Sequence, residues 1–117
     1  MNTKIFITDL VVSARIGHLA HERGAHQPLV INVAVWTDIT RALESHDLGD
    51  TVDYVAIQKG ILQLVAEREY VLIESLADDI VSLCFSHARV SKTSVRIEKP
   101  NKFPESKSVG IELERER

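Results

Sequence analysis

Four polar residues lie where their side chains could carry out chemistry. Glu22 falls in a polar connection that contains glycine, and Lys99 ends a run of β-branched residues. Tyr54 and Glu74 each begin a segment whose apolar residues recur at helical spacing. Glutamate, tyrosine and lysine side chains can all accept or donate protons in catalysis. The four residues are therefore candidates for acid–base catalysis.

Each of the four residues also has an ordinary structural explanation. Glu22 stands beside Arg23 and could form only a loop ion pair with it. Tyr54 could be a half-buried core residue, and Lys99 could simply end an edge strand. Glu74 in the first turn of a helix would be favoured by the helix dipole by roughly 0.3–1 kcal/mol without any function. Spacing alone therefore leaves the structural and catalytic explanations open.

The histidines and the single cysteine do not form a recognisable metal site. His18, His21 and His26 are close in sequence, but their spacing matches no zinc signature, so we expect surface or subunit-contact histidines and no metal. Cys84 lies on the apolar stripe of the second long helical segment, and we expect it to be a buried small hydrophobic residue.

Composition and length indicate one ordinary globular domain over residues 1–117. The formal net charge is -3 and no basic stripe is present, which argues against binding to nucleic acid. The apolar runs are shorter than the about 20 residues that cross a bilayer. The first residues lack the pattern of a signal peptide, and one cysteine cannot form an internal disulfide. We therefore expect a cytoplasmic protein.

Apolar periodicity predicts four strands and two helices. Alternating residues indicate strands, and apolar residues three or four apart indicate helices. Gly60 inside the first helix should cost about 1 kcal/mol relative to alanine, which suggests a close approach of backbone there. The order is that of an α+β domain, with two helices on one face of a four-stranded antiparallel sheet. The predicted strands are 3–14, 28–39, 93–98 and 107–114, and the predicted helices are 54–68 and 73–88.

The face of the sheet that lies away from the helices predicts that the protein forms an oligomer. Its first two strands would expose apolar residues and its last two would expose charges, while both sheet edges would remain unpaired. Unpaired edges invite association, and closure into a barrel removes them. We therefore expect a ring of subunits whose sheets join edge to edge. The residues concerned are Phe6, Val30, Ala34 and Trp36, followed by Arg96, Glu98, Glu112 and Glu114.

Five segments, in this order, resemble the dihydroneopterin aldolase family. Each segment is weak alone, but the set covers most of the chain and has the element order of that family. The resemblance implies the tunnelling fold (a ββααββ subunit) and rings of four subunits that stack into octamers, with sites between neighbouring subunits. The segments are IGHLAHERGAHQ (16–27), ALESHDLGDTVDY (42–54), VLIESLADDIV (71–81), VRIEKP (95–100) and VGIELER (109–115).

The resemblance also implies how a pterin ring would be bound. Glu74 would accept two parallel hydrogen bonds from the ring, and each such charge-assisted bond is worth about 1.5–3 kcal/mol when water is excluded. Backbone groups near Thr51, Val52 and Ile73 would hold other edges of the ring. His18 would lie next to the pocket, at a position where we expect a small or aliphatic residue.

The implied chemistry is retro-aldol cleavage of 7,8-dihydroneopterin without metal or Schiff base, because the substrate's own C=N accepts the electrons. Lys99 would help to remove the proton from the 2′-hydroxyl through a water molecule that Glu22 orients. Tyr54, supplied by a neighbouring subunit, would transfer protons on the intermediate and on a side-chain hydroxyl. No cofactor is expected.

Two other functions stay open at this stage. The loop after Lys99, NKFPESKS, is not the alanine-containing stretch of many family members, so the balance between cleavage and 2′-epimerisation is undecided. Extra basic residues near the pocket would favour an epimerase for dihydroneopterin triphosphate, and Lys102 and Lys107 are the candidates. A noncatalytic pterin-binding subunit would need only Glu74.

Overall fold

Four strands form one antiparallel sheet whose spatial order follows the chain, β1-β2-β3-β4. The computed structural model describes residues 1–117. It confirms the predicted α+β architecture and adds a short helix, α1, and a 3₁₀ turn at Leu48–Asp50, neither of which periodicity predicted. The elements are β1 Asn2–Arg15, β2 His26–Asp38, α1 Thr40–Ser45, α2 Tyr54–Glu67, α3 Ile73–Phe85, β3 Lys92–Phe103 and β4 Ser106–Glu116.

The core lies between one face of the sheet and the two long helices. Each buried Leu, Ile or Val side chain in it contributes roughly 1.5–3 kcal/mol by leaving water. A Cβ on Gly60 would lie 2.7 Å from a methyl carbon of Leu83, which explains why α2 carries glycine where α3 packs against it. Cys84 is buried as expected, and burial raises the pKa of its thiol to about 12. Fully buried members of the core include Leu29, Ile31, Ile57, Ile61, Leu76, Ile80 and Ile97.

A β-bulge in β1 reverses the alternation of its side chains. The register with β2 shifts between Ile7 and Leu10, and Asp9 adopts a positive φ of 52°. Asn32 braces the bulge, because its side chain accepts from the Asp9 backbone N–H at 2.8 Å and donates to the Asp9 carboxylate at 3.0 Å. Aspartate tolerates this left-handed conformation better than most residues. Past the bulge, even-numbered residues such as Val12 face the core.

The hairpin of β3 and β4 is longer than predicted. The strand predicted for 93–98 extends through Phe103, so Lys99, Pro100 and Phe103 of the predicted loop pair with β4. The register shifts between Pro100 and Phe103, where Asn101 has a positive φ of 55°. The prolines predict a loop, and the register shift interrupts the alternation of side chains, so the sequence pattern does not indicate the longer strand.

The outer face of the sheet carries apolar side chains on β1 and charged side chains on β3 and β4. Phe6 is 58% exposed and Val11 is 66% exposed. Ion pairs join Arg96 to Glu98 and Glu112 at 3.5 and 3.6 Å. β1 and β4 are the two unpaired edges of the sheet. None of the helices is both long and apolar enough to span a membrane.

Candidate active site

A cavity of about 460 Å³ opens where the connection after β1, the start of α3 and the far ends of β3 and β4 meet. Its wall is half apolar and also carries charged side chains. This mixture is typical of small-molecule sites, in which apolar walls exclude water and a few polar groups set orientation. The lining residues are His18, Leu19, Glu22, Val71, Leu72, Ile73, Glu74, Lys99, Lys102, Phe103, Val109 and Gly110.

Backbone hydrogen bonds join the two segments that carry the acidic residues of the cavity. The connection after β1 forms a parallel bridge with Tyr70, and the Gly17 N–H donates to the Tyr70 carbonyl at 3.0 Å. The Tyr70 hydroxyl in turn donates to Asp79 of α3 at 2.7 Å. These hydrogen bonds fix the position of the segment that carries Glu22 relative to the first turn of α3, which contains Glu74.

Gly17 leaves the space that the Glu22 side chain occupies. A Cβ built on Gly17 would lie 2.3 Å from the Glu22 Cβ and 2.7 Å from its carboxyl carbon. Gly17 also has a φ of +151°, which side-chain-bearing residues rarely adopt. Glycine at position 17 is therefore needed both for this backbone conformation and for the space through which the Glu22 side chain extends into the cavity.

Glu22 is the most buried charged residue of the cavity, at 3% exposure. Its Oε2 accepts from Lys102 Nζ at 2.6 Å, from Gln27 Nε2 at 2.7 Å and from Lys99 Nζ at 3.3 Å. Its Oε1 accepts from the Leu19 backbone N–H at 3.3 Å. A loop ion pair with Arg23, the structural alternative considered for Glu22, does not form.

This environment keeps Glu22 ionised. The Lys102 ammonium and then the Gln27 amide lower the pKa of the carboxyl far below its usual value, against the burial that would raise it. Hydrogen bonds to the charged form of a carboxylate favour that form. Burying an ion pair costs desolvation energy, so this cluster is weak evidence for a stabilising role.

Lys99 lies in the cavity as expected, and Lys102 joins it there. Side-chain exposure is 13% for Lys99 and 21% for Lys102. The contact of Lys102 with Glu22 was not predicted, because simple alternation would direct residue 102 away from residue 99. The register shift and the left-handed Asn101 bring both lysines to the same carboxylate.

Glu74, Ile73 and His18 all line the cavity. Glu74 lies in the first turn of α3 and forms no ion pair, so its carboxylate remains available to a ligand. No side chain caps the start of α3. The first N–H groups of an uncapped helix keep their donor capacity, which leaves backbone donors at Ile73 and Glu74 free for a ligand.

The other three predicted site residues lie outside this cavity in the same chain. Tyr54 begins α2 and is 58% exposed, so it is not a core tyrosine. Val52 is buried in the core, and Thr51 is half-buried beside it. Asp53 caps α2, because its side chain accepts from the backbone N–H groups of Val55 and Ala56. No group of three or more His, Cys, Asp or Glu side chains in the chain is placed to hold a metal ion.

The fold and the cavity together are typical of an enzyme that binds a small molecule. An ionised carboxylate and two ammonium groups meet at one end of the cavity, and a free carboxylate lies in its wall. The family model described as FolB, dihydroneopterin aldolase, matches residues 5–114. The chain belongs to the dihydroneopterin aldolase family.

Individual relatives agree with this assignment. A dihydroneopterin aldolase of Staphylococcus epidermidis is 36% identical over 119 residues, covering 99% of this chain and 98% of the relative. The crystal structure of Escherichia coli dihydroneopterin aldolase in complex with neopterin has a TM-score of 0.90 and 25% identity, covering 97% of this chain and 98% of that one. A dihydroneopterin triphosphate 2′-epimerase of E. coli is 29% identical over 109 residues, covering 93% and 91% of the two chains.

Another relative is much longer. The chain matches the folic acid synthesis protein FOL1 of Dictyostelium discoideum with 29% identity over 112 residues, and it spans 17% of that protein's length.

Proposed function

We propose that this protein cleaves 7,8-dihydroneopterin into 6-hydroxymethyl-7,8-dihydropterin and glycolaldehyde, a step of folate biosynthesis, without metal or Schiff base. The observation that carries the proposal is the pairing of Lys99 with the buried, ionised Glu22 in the same cavity as the unpaired Glu74. Two functions are thus available in one cavity: anchoring of a hydrogen-bonding ring and proton transfer on its side chain.

Glu74 is the proposed anchor of the pterin ring. Its carboxylate is free to accept from the ring N–H and from the 2-amino group, in two parallel bonds worth about 1.5–3 kcal/mol each. The uncapped N–H groups at the start of α3, beginning with Ile73, would donate to acceptors on the ring. Val71 and Leu72, both exposed in this chain, would cover apolar parts of the ligand.

The proposed reaction needs no electron sink from the protein. The 2′-hydroxyl loses its proton, and its oxygen electrons form the carbonyl of glycolaldehyde. The bond between the first two side-chain carbons breaks, and its electron pair moves into the ring C=N. A proton added to the carbon that stays on the ring then gives the hydroxymethyl product. Positioning and general acid–base catalysis remain for the protein to supply.

Lys99 and Glu22 would carry the first proton transfer together. A protonated lysine cannot act as a base by itself, and Lys99 shares the cavity with the Glu22 carboxylate. We propose that a water molecule between the 2′-hydroxyl, Lys99 and Glu22 relays the proton. The long 3.3 Å contact between Lys99 and Glu22 leaves room for Lys99 to exchange partners.

The site would be completed by a neighbouring subunit in a homo-oligomer. Tyr54 is exposed and outside its own chain's cavity, and the half-buried Thr51 lies three residues before it. Exposed Leu19 and Phe103 at the cavity would be covered by such a neighbour. We propose rings of four subunits, joined through the edge strands β1 and β4 and stacked into octamers, in which Tyr54 of one subunit reaches the cavity of the next. A reducing compartment, the cytoplasm, suits the single buried cysteine.

A second candidate function is 2′-epimerisation of dihydroneopterin or its triphosphate. The observation that favours it is that Lys102 lines the cavity, whereas the other basic candidate, Lys107, is exposed and does not. Readdition of glycolaldehyde to the intermediate through the opposite face of its carbonyl group would give the 2′-epimer from the same active-site groups.

A product assay tests the proposal. Purified protein is incubated anaerobically with 7,8-dihydroneopterin and a chelator, and the pterins are separated by chromatography. We expect 6-hydroxymethyl-7,8-dihydropterin and glycolaldehyde in equal amounts. The 2′-epimer alone would support the second candidate, whereas binding of the pterin without any product would show a noncatalytic subunit.

A further inference from the structure

Glu22 has a second lysine partner that the proposed proton transfer does not use. Lys102 Nζ lies 2.6 Å from Glu22 Oε2, whereas Lys99 Nζ lies 3.3 Å from the same oxygen. Gln27 Nε2 supplies another short contact to that oxygen, at 2.7 Å. The lysine nearest to the carboxylate is therefore Lys102.

The Oε2 atom of Glu22 cannot bind all three donors equally well. A carboxylate oxygen has about two lone-pair sites, and charge-assisted N–H···O bonds are strongest near 2.7–2.9 Å. The short contacts from Lys102 and Gln27 fill both sites of Glu22 Oε2, so Lys99 is a third and weaker donor. Lys99 is then not needed to neutralise or orient Glu22, and its ammonium stays available to another partner in the cavity.

We propose that Lys102 is a positioning residue for the reaction: its short contact holds the Glu22 carboxylate in place, and so leaves Lys99 free to exchange protons with the substrate. The proposal rests on the proposed function and deepens it. Lys102 acts here through Glu22, without contact to the reacting atoms.

The local backbone supports a dedicated role for Lys102. Lys99 faces the helix side of the sheet, and regular alternation would place residue 102 on the opposite side. The irregular register between Pro100 and Phe103, with Asn101 at φ 55°, returns Lys102 to the side of Lys99. Glu74, the other acidic residue of the cavity, pairs with neither lysine, so Glu22 is the carboxylate toward which Lys102 is directed.

Three variants separate this role from general effects of charge or packing. Lys102→Met removes the ammonium and keeps most of the chain length, while Lys102→Arg keeps a cation. Lys107→Met removes one positive charge from the same hairpin at an exposed position outside the cavity, and it is the matched control. Steady-state kinetics with 7,8-dihydroneopterin are measured for all three, together with titration of the Glu22 carboxyl by ¹³C NMR.

We expect Lys102→Met to lower kcat by about tenfold or more while KM stays within about threefold, which is the pattern for loss of an interaction needed in the transition state. Lys102→Arg should recover most of kcat, and Lys107→Met should match the wild type. The NMR titration should show that the pKa of Glu22 rises in Lys102→Met and not in Lys107→Met, because the strongest partner of its charged form has gone.

Several results would overturn the proposal. Unchanged kcat in Lys102→Met would show that Lys102 does not position the catalytic groups. An equal loss in Lys102→Arg would indicate packing, and a change in KM alone would indicate direct substrate contact. The titration needs no turnover, so an unmoved Glu22 would refute the inference even in a protein that cleaves nothing. An inactive wild type with the expected NMR shift would instead refute the proposed function alone.

Discussion

Replacing Gly17 by alanine should disrupt the site through one added methyl group. That group would lie 2.3 Å from the Glu22 Cβ, a separation that real side chains do not reach, so Glu22 would have to move. Gly24, in the same connection, provides a matched control, because it also has a positive φ, of 73°, but a Cβ there meets nothing within 4 Å. Both substitutions strain the backbone, and only Gly17→Ala displaces the carboxylate.

Two contributions, backbone strain and steric overlap with Glu22, determine the expected loss of unfolding free energy. Backbone strain alone costs about 1–2 kcal/mol of unfolding free energy and applies to both variants. Overlap with a packed neighbour adds about 1–3 kcal/mol, which gives about 2–5 kcal/mol for Gly17→Ala. We expect turnover to fall by about a hundredfold in Gly17→Ala and to stay within about twofold in Gly24→Ala.

Urea unfolding and steady-state turnover of the folded fraction measure the two effects separately. Equal stability loss in the two variants, with turnover preserved in Gly17→Ala, would refute the idea that Gly17 determines the position of Glu22. A Gly17→Ala protein that unfolds less cooperatively would still be informative, because pterin binding through Glu74 should persist in its folded fraction.

Three further predictions concern the charged residues of the cavity. Lys99→Ala should lower turnover by about a hundredfold or more and change the pterin dissociation constant only a few-fold, and equal turnover by stopped-flow assay would exclude Lys99 as a proton carrier. Glu74→Ala should raise the dissociation constant for neopterin by about tenfold or more, measured by calorimetry, and unchanged affinity would remove Glu74 from the site. Glu22 has a folded-state pKa below its unfolded value, so its contribution to stability is complete above about pH 5 and is lost as pH falls. Between about pH 4 and pH 2.5 the wild type should therefore lose up to about 1.4 kcal/mol per pH unit more than Glu22→Gln in acid unfolding, and parallel curves would contradict the low pKa.

The sequence predicts the sheet and the long helices because their signals are periodic and local. Alternation in 28–39 follows the burial of β2 closely, and the apolar spacing beginning at Ile57 and Ile73 marks the two helices that cover the sheet. The short helix α1 escapes prediction because it buries none of its residues and therefore has no apolar stripe.

The candidate site is only partly predictable from the sequence. Glu22, Glu74 and Lys99 stand out through their positions and through the family resemblance, and the structure places all three at one cavity. Lys102 could not be assigned in the same way, because its direction depends on the left-handed Asn101 and a register shift that alternation does not encode. An asparagine between two lysines near prolines is a weak signal for such a bulge.

The central claim is that the ring binds at Glu74 while its side chain reaches Glu22 and Lys99. A crystal structure of this protein with neopterin, whose oxidised ring resists cleavage, tests the claim most directly. We expect the ring to donate two hydrogen bonds to Glu74 and to accept from the N–H groups at the start of α3. Its side-chain hydroxyls should lie within about 3.2 Å of Lys99, Glu22 or a shared water, and Tyr54 of a neighbouring subunit should close the cavity. Neopterin bound elsewhere, or with its side chain directed away from Lys99 and Glu22, would contradict the account.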